Sequence, residues 1–401
     1  MYQRIMKRAK ELEADAAGFL SKLVRTPSFS GKEKDVVSLI QQKMTDLHFD
    51  DVRIDPLGNV IGRIGNGPRV IAFDAHVDTV YPGDTNQWTF DPFDGSIVDG
   101  YVRGRGSVDQ KGGMASMVYA AQIIKELNLN RDFTILFTGT VMEEDCDGLC
   151  WQYLVQEENI RPEVVVVTEP TNLNIYRGQR GRMEIEVRMN GVSCHGSAPE
   201  RGDNAIYKIS RIALEIEKLH DALKTDEFLG KGSVAVTQVF SNSPSQCAVP
   251  DAAWIRLDRR LTHGETKETA LAEIREAALR AGYSDVDIRL LQYNEPAYTG
   301  LRYTTEKYYP TWVLEEPSPY LQQAVSAYHN VFNRQPLVDK WTFSTNGVSI
   351  SGMFGIPVVG MGPGNEIYAH AVNEAAPVDH LSKAAAFYAG FVRSLQENQR
   401  S

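Results

Sequence analysis

The sequence predicts an α/β fold: a mostly parallel sheet with helices on both faces, and a smaller α+β domain inserted into it. Short apolar runs alternate with amphipathic stretches over residues 1–178, which is typical of strands joined by helices in a parallel sheet. Near Gly178 the pattern changes to segments in which apolar and polar residues alternate, and after Pro296 the first pattern returns. Two domains, the first of them discontinuous, account for both changes.

Each element of the first part is predicted from the spacing of its apolar residues. Apolar side chains recur at helical spacing over residues 5–23, and Pro27 ends the pattern. Two more amphipathic stretches predict helices over residues 32–47 and 114–127. Short apolar runs predict strands at Val60–Ile64, residues 70–73, residues 133–137 and Val164–Val167.

The inserted part has a different order of elements. Alternation over residues 183–189 predicts a strand with one exposed face. The elements that follow are predicted to be a helix at 205–223, strands at 234–239 and 254–257, a helix at 265–281 and a strand at 286–291. This βαββαβ order is typical of a small α+β sandwich.

The elements after Pro296 belong again to the main domain. A helix is predicted at residues 320–332, a strand at 356–360 and a final helix at 378–395. We therefore predict a discontinuous main domain of residues 1–178 and 297–401, and an inserted domain of residues 179–296.

The composition is that of an ordinary globular protein, and it excludes several functions. The chain is 42% apolar and 23% charged, against averages of about 45–50% and 25%. The net charge of −10 repels nucleic-acid phosphates, so we predict no nucleic-acid partner. The absence of a long apolar run or signal-peptide core predicts no membrane association and a cytoplasmic location. Four cysteines are too few for a disulfide framework.

Two motifs place metal-ligand residue types next to predicted strands and turns. His76 and Asp78 come just after the run at residues 70–73, where open α/β sheets gather their ligands. Asp109 lies in a glycine-rich turn that leads into the helix at residues 114–127. Taken alone, His76 and Asp78 also fit a polar surface loop, and Asp109 also fits a helix cap.

Acidic residues follow two other strands, and a histidine lies in a late loop. Glu143 and Glu144 follow the strand at residues 133–137, and such adjacent acids repel each other unless cations or solvent relieve them. Glu169 follows Val164–Val167, and His370 follows the strand at residues 356–360 and a glycine-rich turn. A solvated acidic turn and a structural histidine are the alternatives when each is taken alone.

Taken together, the five candidate ligands predict a site for two divalent metal ions. Each ion is expected to take one histidine and one terminal carboxylate, while Asp109 bridges both. Imidazole and carboxylate ligands without thiolate suit zinc, the usual choice in hydrolases, or cobalt or manganese. Glu143, held off the metals, is expected to accept a proton from a water whose pKa the metals lower.

These motifs resemble the dinuclear-zinc metallopeptidase family that contains aminoacylase, glutamate carboxypeptidase, acetylornithine deacetylase and succinyl-diaminopimelate desuccinylase. The match runs from Pro27 to Glu374 and is strongest with the deacetylase and desuccinylase branch, notably with hydrolases linked to selenium metabolism. The resemblance implies one ion held by His76, Asp109 and Glu169, and a second held by Asp109, Glu144 and His370. It implies further that Asp78 braces His76, that Glu143 is the general acid and base, and that the inserted domain is a lid through which two chains dimerise.

The resemblance also implies three residues that contact the substrate. His195, in the segment Gly191–Pro199, matches the histidine that reaches the partner subunit's site and stabilises an oxyanion; a structural hydrogen bond is the alternative. Arg260 matches the arginine that binds a substrate carboxylate, with Arg259 as a competing choice. Asn346 lies in a substrate-loop motif where aspartate is frequent, so the family's specificity does not transfer directly.

The predicted function is a metal-dependent hydrolase that cleaves the amide bond of an N-acyl amino acid or a short peptide-like small molecule. A metal-activated water attacks the carbonyl, and Glu143 acts as the base. One alternative is an N-carbamoyl amidohydrolase, although such relatives tend to have histidine at the position of Glu169. The other is a non-catalytic, metal-binding dimeric protein, which would be free to lose ligands that this chain retains.

Overall fold

The computed structural model describes residues 1–397, which form two main sheets with helices packed against them. The helices are α1 Tyr2–Glu11, α2 Glu13–Val24, α3 Lys34–Asp46, α4 Lys111–Glu126, α5 Leu149–Gln156, α6 Ala205–Ala222, α7 Lys267–Arg280, α8 Pro319–Phe332 and α9 Val378–Glu397. The strands of the two sheets are β1 Asp51–Ile54, β2 Val60–Ile64, β3 Arg69–His76, β4 Phe133–Thr140, β5 Val164–Val167, β6 Ile175–Gln179, β7 Gly181–Asn190, β8 Ser233–Asn242, β9 Ala252–Leu261, β10 Asp287–Leu290, β11 Tyr308–Tyr309, β12 Trp312–Val313, β13 Val338–Trp341 and β14 Val358–Gly360.

The larger sheet is parallel in its centre and antiparallel towards its edges. Its strand order is β1-β2-β4-β3-β5-β14-β6-β12, with β13 also paired to β6, and the pairs β4-β3, β3-β5 and β5-β14 are parallel. Residues 71–76 of β3 and all of β5 are buried. Because successive side chains of a strand point to opposite faces, both faces of the sheet are covered. The predicted α/β fold class is confirmed.

The smaller sheet is antiparallel and has its own hydrophobic core. Its order is β8-β9-β7-β10, and β11 pairs with β7 beside β10. Apolar side chains of β7, β8, β9, α6 and α7 form a second buried cluster, separate from the main one. The order β7-α6-β8-β9-α7-β10 has the predicted βαββαβ pattern. We call this unit, with its sheet and two helices, the lid.

The chain crosses between the two sheets at two places. It leaves the larger sheet after Gln179 and enters the lid at Gly181, and it returns between Tyr309 and Trp312. The segment before the return crossing is shared, because Tyr293 and Tyr298 pack in or against the main core while β11 pairs with lid strand β7. The division at residues 178/179 and 296/297 stays a prediction, and residues 398–401 of the predicted main domain lie outside the described residues.

Several elements differ from the sequence-based expectation, and among them α5, β6, β12 and β13 were not predicted. The helix predicted over residues 5–23 is interrupted at Leu12, where α1 ends and α2 begins. Leu12 keeps near-helical backbone angles, so the buried apolar face continues in phase and the spacing does not reveal the break. Strand β1 was not predicted either, because its alternating segment has only four residues and lies at the sheet edge with partly or fully exposed side chains.

Candidate metal centre

The predicted ligands meet at one edge of the larger sheet. Strand β3 ends at His76, β4 is followed by Glu143 and Glu144, and β5 is followed by Glu169. Because these strands are parallel neighbours, their carboxyl ends open on the same side. Together with Asp109 and His370 these residues line a cavity of about 340 Å³, while two wider grooves lie on the lid, away from all of them.

Asp109 lies between the two histidines. Its Oδ1 is 2.9 Å from His76 Nε2, and its Oδ2 is 3.4 Å from His370 Nε2. His370 Nε2 is also 2.8 Å from a carboxylate oxygen of Glu144, and His76 Nε2 is 3.5 Å from one of Glu169. Each carboxylate oxygen of Asp109 therefore faces a different histidine, which is the arrangement that a carboxylate bridging two cations requires.

The donor set fits divalent cations. Ligand atoms of His76, Asp109 and Glu144 lie within 4.8 Å of one another, and so do those of His76, Glu143 and Glu169. One buried oxygen of Glu143 and one of Glu169 have no hydrogen-bond partner among residues 1–397. Buried carboxylate oxygens of this kind are costly unless a cation or a donor approaches them. The groupings differ from the implied ligand sets in that Glu143 lies close enough to be a ligand itself.

Burial makes the clustered acids difficult to ionise without a cation. It raises the pKa of Glu144 to about 7, and the charge of Asp109 adds to the effect. Burial also raises the pKa of Glu143 and of Glu169 well above the usual range. In Asp109 burial opposes ionisation, but the hydrogen bond and charge of His76, together with the charges of His370 and Arg105, outweigh it and lower the pKa. Divalent cations bound among these carboxylates would favour their ionised form.

The two histidines respond to the same acids. The hydrogen bond to Glu144 raises the pKa of His370 to about 9. Burial disfavours the charged form of His76, but the carboxylates of Glu169 and Glu143 reverse this and raise its pKa well above the usual value. Without metal, protons on the histidines thus take the place of the cations.

The metal-free protein is expected to lose stability as the pH rises from about 5 to about 9. Burial raises the pKa of Glu33 to about 8 and that of Glu144 to about 7, while His370 titrates near 9. The ordinary values are 4.5 for the two glutamates and 6.5 for the histidine, so the folded chain binds more protons than the unfolded chain across this range. Stability therefore falls with rising pH. Thermal unfolding of EDTA-treated protein at several pH values measures the effect.

Added Zn²⁺ provides the control for this prediction. Metal ions bind the deprotonated ligands, so the rise in melting temperature that zinc causes should grow with pH. A metal-free protein that melts at the same or a higher temperature at pH 9 than at pH 5 would contradict the assigned shifts.

Asp78 holds His76 and the segment of Glu143 and Glu144 in place. It is fully buried, and its carboxylate accepts hydrogen bonds from the backbone N–H groups of Glu143 and Glu144 at 3.2 and 3.0 Å and from the Ser30 hydroxyl at 2.6 Å. The His76 ring contacts Asp78 through Nδ1, at 3.0 Å from the backbone carbonyl and 3.5 Å from the carboxylate. This arrangement leaves Nε2 of His76 directed at Asp109.

The sequence analysis assigned no role to a buried ion pair, Arg105 and Glu374, that joins two ligand loops. Arg105 donates to Glu374 at 2.7 Å and to the backbone carbonyl of His370 at 3.1 Å. Glu374 accepts from the backbone N–H groups of Val108 and Asp109 at 2.8 and 3.0 Å. Each residue lies four positions from a predicted ligand, Arg105 before Asp109 and Glu374 after His370, but only the fold shows that they are partners.

The lid contributes two arginines to the cavity. Arg260 lines it, whereas its competitor Arg259 is fully buried inside the lid and bonded to Glu265 and Glu273 at 2.7 and 2.9 Å. Arg182, which the sequence analysis did not single out, also lines the cavity.

The structure does not bring His195 to the cavity of its own chain. His195 is exposed in a lid loop, and its Nδ1 lies 2.7 Å from the Ser197 hydroxyl and accepts from the Ser197 backbone N–H at 3.1 Å. A role across a dimer stays a prediction.

The assignment of Asn346 to substrate binding is corrected. Asn346 is fully buried, and its amide nitrogen donates to Asp74 at 2.8 Å and to Thr140 at 3.1 Å. Its amide oxygen accepts from the Gly148 backbone N–H at 3.0 Å and from the Cys150 thiol at 3.1 Å. Both ends of the amide are thus occupied beneath the site, so the side chain orders the core instead of contacting a ligand.

Replacing Asn346 by alanine is expected to lower the free energy of unfolding by about 1–3 kcal/mol, because Asp74 and the Gly148 N–H lose buried partners. Chemical denaturation measures this. Asn330→Ala, at an exposed position, is the control. If Asn346→Ala left the stability unchanged and raised KM, the original assignment of Asn346 to substrate binding would be supported instead.

Comparison with known proteins identifies the class. The sequence model of Peptidase family M20/M25/M40 matches residues 72–394, and the chain belongs to this family. It is a metal-dependent hydrolase that acts on the C–N bond of amides, as the sequence analysis predicted.

Two curated relatives cover nearly the whole chain. The uncharacterized protein YgeY of Escherichia coli is 53% identical over 388 residues, covering 97% of this chain and 96% of that protein. A succinyl-diaminopimelate desuccinylase of Methylocella silvestris is 26% identical, covering 96% and 99% of the two chains.

Solved structures confirm the fold. Aminopeptidase PepT from Bacillus cereus superposes with a TM-score of 0.73 at 23% identity, covering 96% of this chain and 99% of that one. The YXEP protein of Bacillus subtilis, described as a dinuclear metal-binding peptidase, superposes with a TM-score of 0.72 at 15% identity, covering 97% and 99%. None of the helices within residues 1–397 combines the length and hydropathy needed to span a bilayer.

Proposed function

We propose that the protein hydrolyses the amide bond of an N-acyl amino acid or a short peptide-like compound, with two divalent metal ions, zinc by default, as cofactors. The single observation that carries the proposal is Asp109, whose two carboxylate oxygens each face a different histidine in a cavity that guanidinium groups also line. His76, Asp109, Glu144, Glu169 and His370 would hold the ions. Ions bound there would polarise the substrate carbonyl and lower the pKa of a water molecule.

Glu143 is the best candidate for the proton carrier. It is 4% exposed on the cavity wall, and one of its oxygens is 3.8 Å from His76 Nε2, farther than the oxygens of Asp109 and Glu169 are from the same atom. Burial raises its pKa well above the usual range, which suits a group that first accepts a proton and then donates it to the leaving nitrogen.

The lid supports a substrate that carries a negative charge. Arg260 lines the cavity, and although its Nε and Nη2 contact Asp258, its guanidinium carries further N–H donors of the kind that bind a carboxylate. N-acyl amino acids have such a carboxylate next to the amide bond, and so do the C-terminal residues of short peptides. The succinyl-diaminopimelate desuccinylase relative acts, by its name, on a succinyl amide.

We propose further that two chains associate through their lids. Strand β8 is at one end of the lid sheet, and its Val239 side chain is 66% exposed. An edge strand with an exposed apolar residue is a natural surface for pairing with a second copy. His195, outside its own chain's cavity, is then a candidate to stabilise the oxyanion in the partner's site. We also propose that the protein is cytoplasmic.

Metal analysis and a substrate screen test the function. Purified protein should hold about two divalent ions per chain, and metal-loaded protein should release free amine from a panel of N-acyl amino acids and dipeptides, detected by mass spectrometry. Release of ammonia and carbon dioxide from N-carbamoyl amino acids only would favour the ureido alternative. Protein that binds no metal would refute the proposal.

A further inference from the structure

Arg182 lies directly opposite Arg260 in the lid sheet. The antiparallel register pairs Arg182 of β7 with Arg260 of β9 on one side and with Tyr309 of β11 on the other. Residues opposite each other on neighbouring strands point to the same face, with Cβ atoms about 5 Å apart. Both arginines line the cavity that contains the acidic cluster. Two guanidinium groups therefore face one small space.

The two guanidinium groups are held in different ways. Arg260 makes a two-pronged contact with Asp258, at 2.7 Å from Nε and 3.1 Å from Nη2. Arg182 stacks over the ring of Tyr309, with its Cζ 4.7 Å from the ring centroid. Stacking fixes the plane of the guanidinium but does not satisfy its N–H groups.

Arg182 has donors to spare. Its nearest carboxylate oxygens, on Glu184 and Asp147, are 3.4 and 3.6 Å from Nη2, longer than the 2.7–2.9 Å of a charge-assisted hydrogen bond. Its Nε is buried and has no hydrogen-bond partner among residues 1–397. Arg180, two residues earlier, donates instead to the backbone carbonyl of Lys231 at 2.8 Å. Of these two neighbours, Arg182 is the one that lines the cavity.

Like charges placed directly opposite each other on a sheet repel. An anion with two oxygens between Arg182 and Arg260 would offset the positive charge of the pair and would accept hydrogen bonds from N–H groups that the long contacts of Arg182 with Glu184 and Asp147 leave unsatisfied. A carboxylate has the size and the planar arrangement of oxygens that match two converging guanidinium groups.

We propose that Arg182 is a second carboxylate-binding residue, which grips one carboxylate of the substrate jointly with Arg260. The inference rests on the proposed function for the identity of the scissile bond, and it narrows the substrate class to compounds whose free carboxylate lies close to the amide. Carboxamides and esters of the same compounds are then poor ligands, because they lack the charge that both guanidinium groups require.

Binding measurements test the proposal independently of hydrolysis. The Glu143→Gln protein, loaded with Zn²⁺, is titrated by calorimetry with N-acetyl-L-alanine and with its carboxamide. We expect the anion to bind about tenfold or more tightly than the amide, a preference of at least about 1.4 kcal/mol. Adding Arg182→Gln should remove most of this preference by weakening the anion alone. Adding Arg182→Lys should give an intermediate value, because charge is retained without the fork.

Arg188→Gln is the matched control, because Arg188 lies on the same strand but packs over Trp254, away from the cavity. It should leave the preference intact. The proposal would be overturned if adding Arg182→Gln left the preference for the anion unchanged. It would also be overturned if the Glu143→Gln protein without a lid substitution showed no preference for the anion over the carboxamide. If Arg182 serves only to hold Asp147, then Arg182→Gln and Asp147→Asn will both lower the melting temperature without altering the ratio of affinities, which also overturns it.

The two proposals fail in different ways. If the wild-type protein binds the anion through Arg182 but releases no amine from any substrate of the screen, the proposed hydrolysis is wrong and the carboxylate site stands. If the protein hydrolyses N-acyl amino acids with the same KM after Arg182→Gln, the proposed hydrolysis stands and the carboxylate-binding role of Arg182 is wrong.

Discussion

Glutamine in place of Glu143 is expected to lower kcat by about 10²–10⁴-fold while leaving the metal content of the protein unchanged. Glutamine has the shape of glutamate but cannot carry the proton between water and the leaving nitrogen. The Glu143 carboxylate is 3.8 Å from His76 Nε2, so losing its charge should affect the proton transfer more than the retention of cations. Steady-state kinetics on a substrate from the screen, with metal determined on the same sample, measure both quantities.

Asp145→Asn is the control for this prediction. Asp145 belongs to the same acidic segment but is directed towards Tyr293, whose hydroxyl donates to it at 3.3 Å, and it does not line the cavity. Its replacement should leave kcat within a factor of about two. If Glu143→Gln loses one metal ion per chain, Glu143 is a ligand, as its grouping with His76 and Glu169 would allow, and the base must be sought elsewhere.

Asparagine in place of Asp109 should reduce the metal content from about two ions per chain to one or none. The change removes a charge and a bridging oxygen from a group that contacts both histidines. Loss of a partner outside the coordination sphere typically costs about 10–100-fold in metal affinity, so loss of a shared ligand should cost more than that. Equilibrium dialysis against Zn²⁺ gives the affinities, and activity should fall in parallel.

Glu374→Gln provides the graded comparison for Asp109. Glu374 does not face the cavity but holds the Asp109 and Val108 backbone and pairs with Arg105, so its effect should fall within the 10–100-fold range. An Asp109→Asn protein that binds two ions with wild-type affinity would rule out the shared ligand.

Local patterns in the sequence predict those parts of the molecule that depend on burial by neighbouring strands. Val60–Ile64 and Val164–Val167 have the predicted bounds. In Val164–Val167 the reason is that a central parallel strand covered on both faces is continuously apolar. The site follows from the same rule, since polar residues directly after parallel strands must meet at one sheet edge. His76, Glu143 and Glu169 do so.

Contacts between residues far apart in the chain could not be predicted from spacing. Arg105 and Glu374 are 269 positions apart in the chain, and the spacing of apolar residues carries no information on which distant loops meet. Arg182 reaches the cavity only because of the lid register that places it beside Arg260. Asn346 was assigned to the substrate because of its motif, whereas its place beneath β3 and β4 is a property of the packed core.

The division of labour between the two sheets has an evolutionary consequence. All the candidate cation ligands come from the larger sheet and its loops, whereas Arg182 and Arg260 come from the lid. The Arg105–Glu374 pair joins two of these loops, those of Asp109 and His370. If the lid arginines select the anion as proposed, substitutions in the lid strands would change which anion binds while leaving the candidate cation ligands unaltered. Selectivity and metal binding would then be able to evolve separately in such a chain.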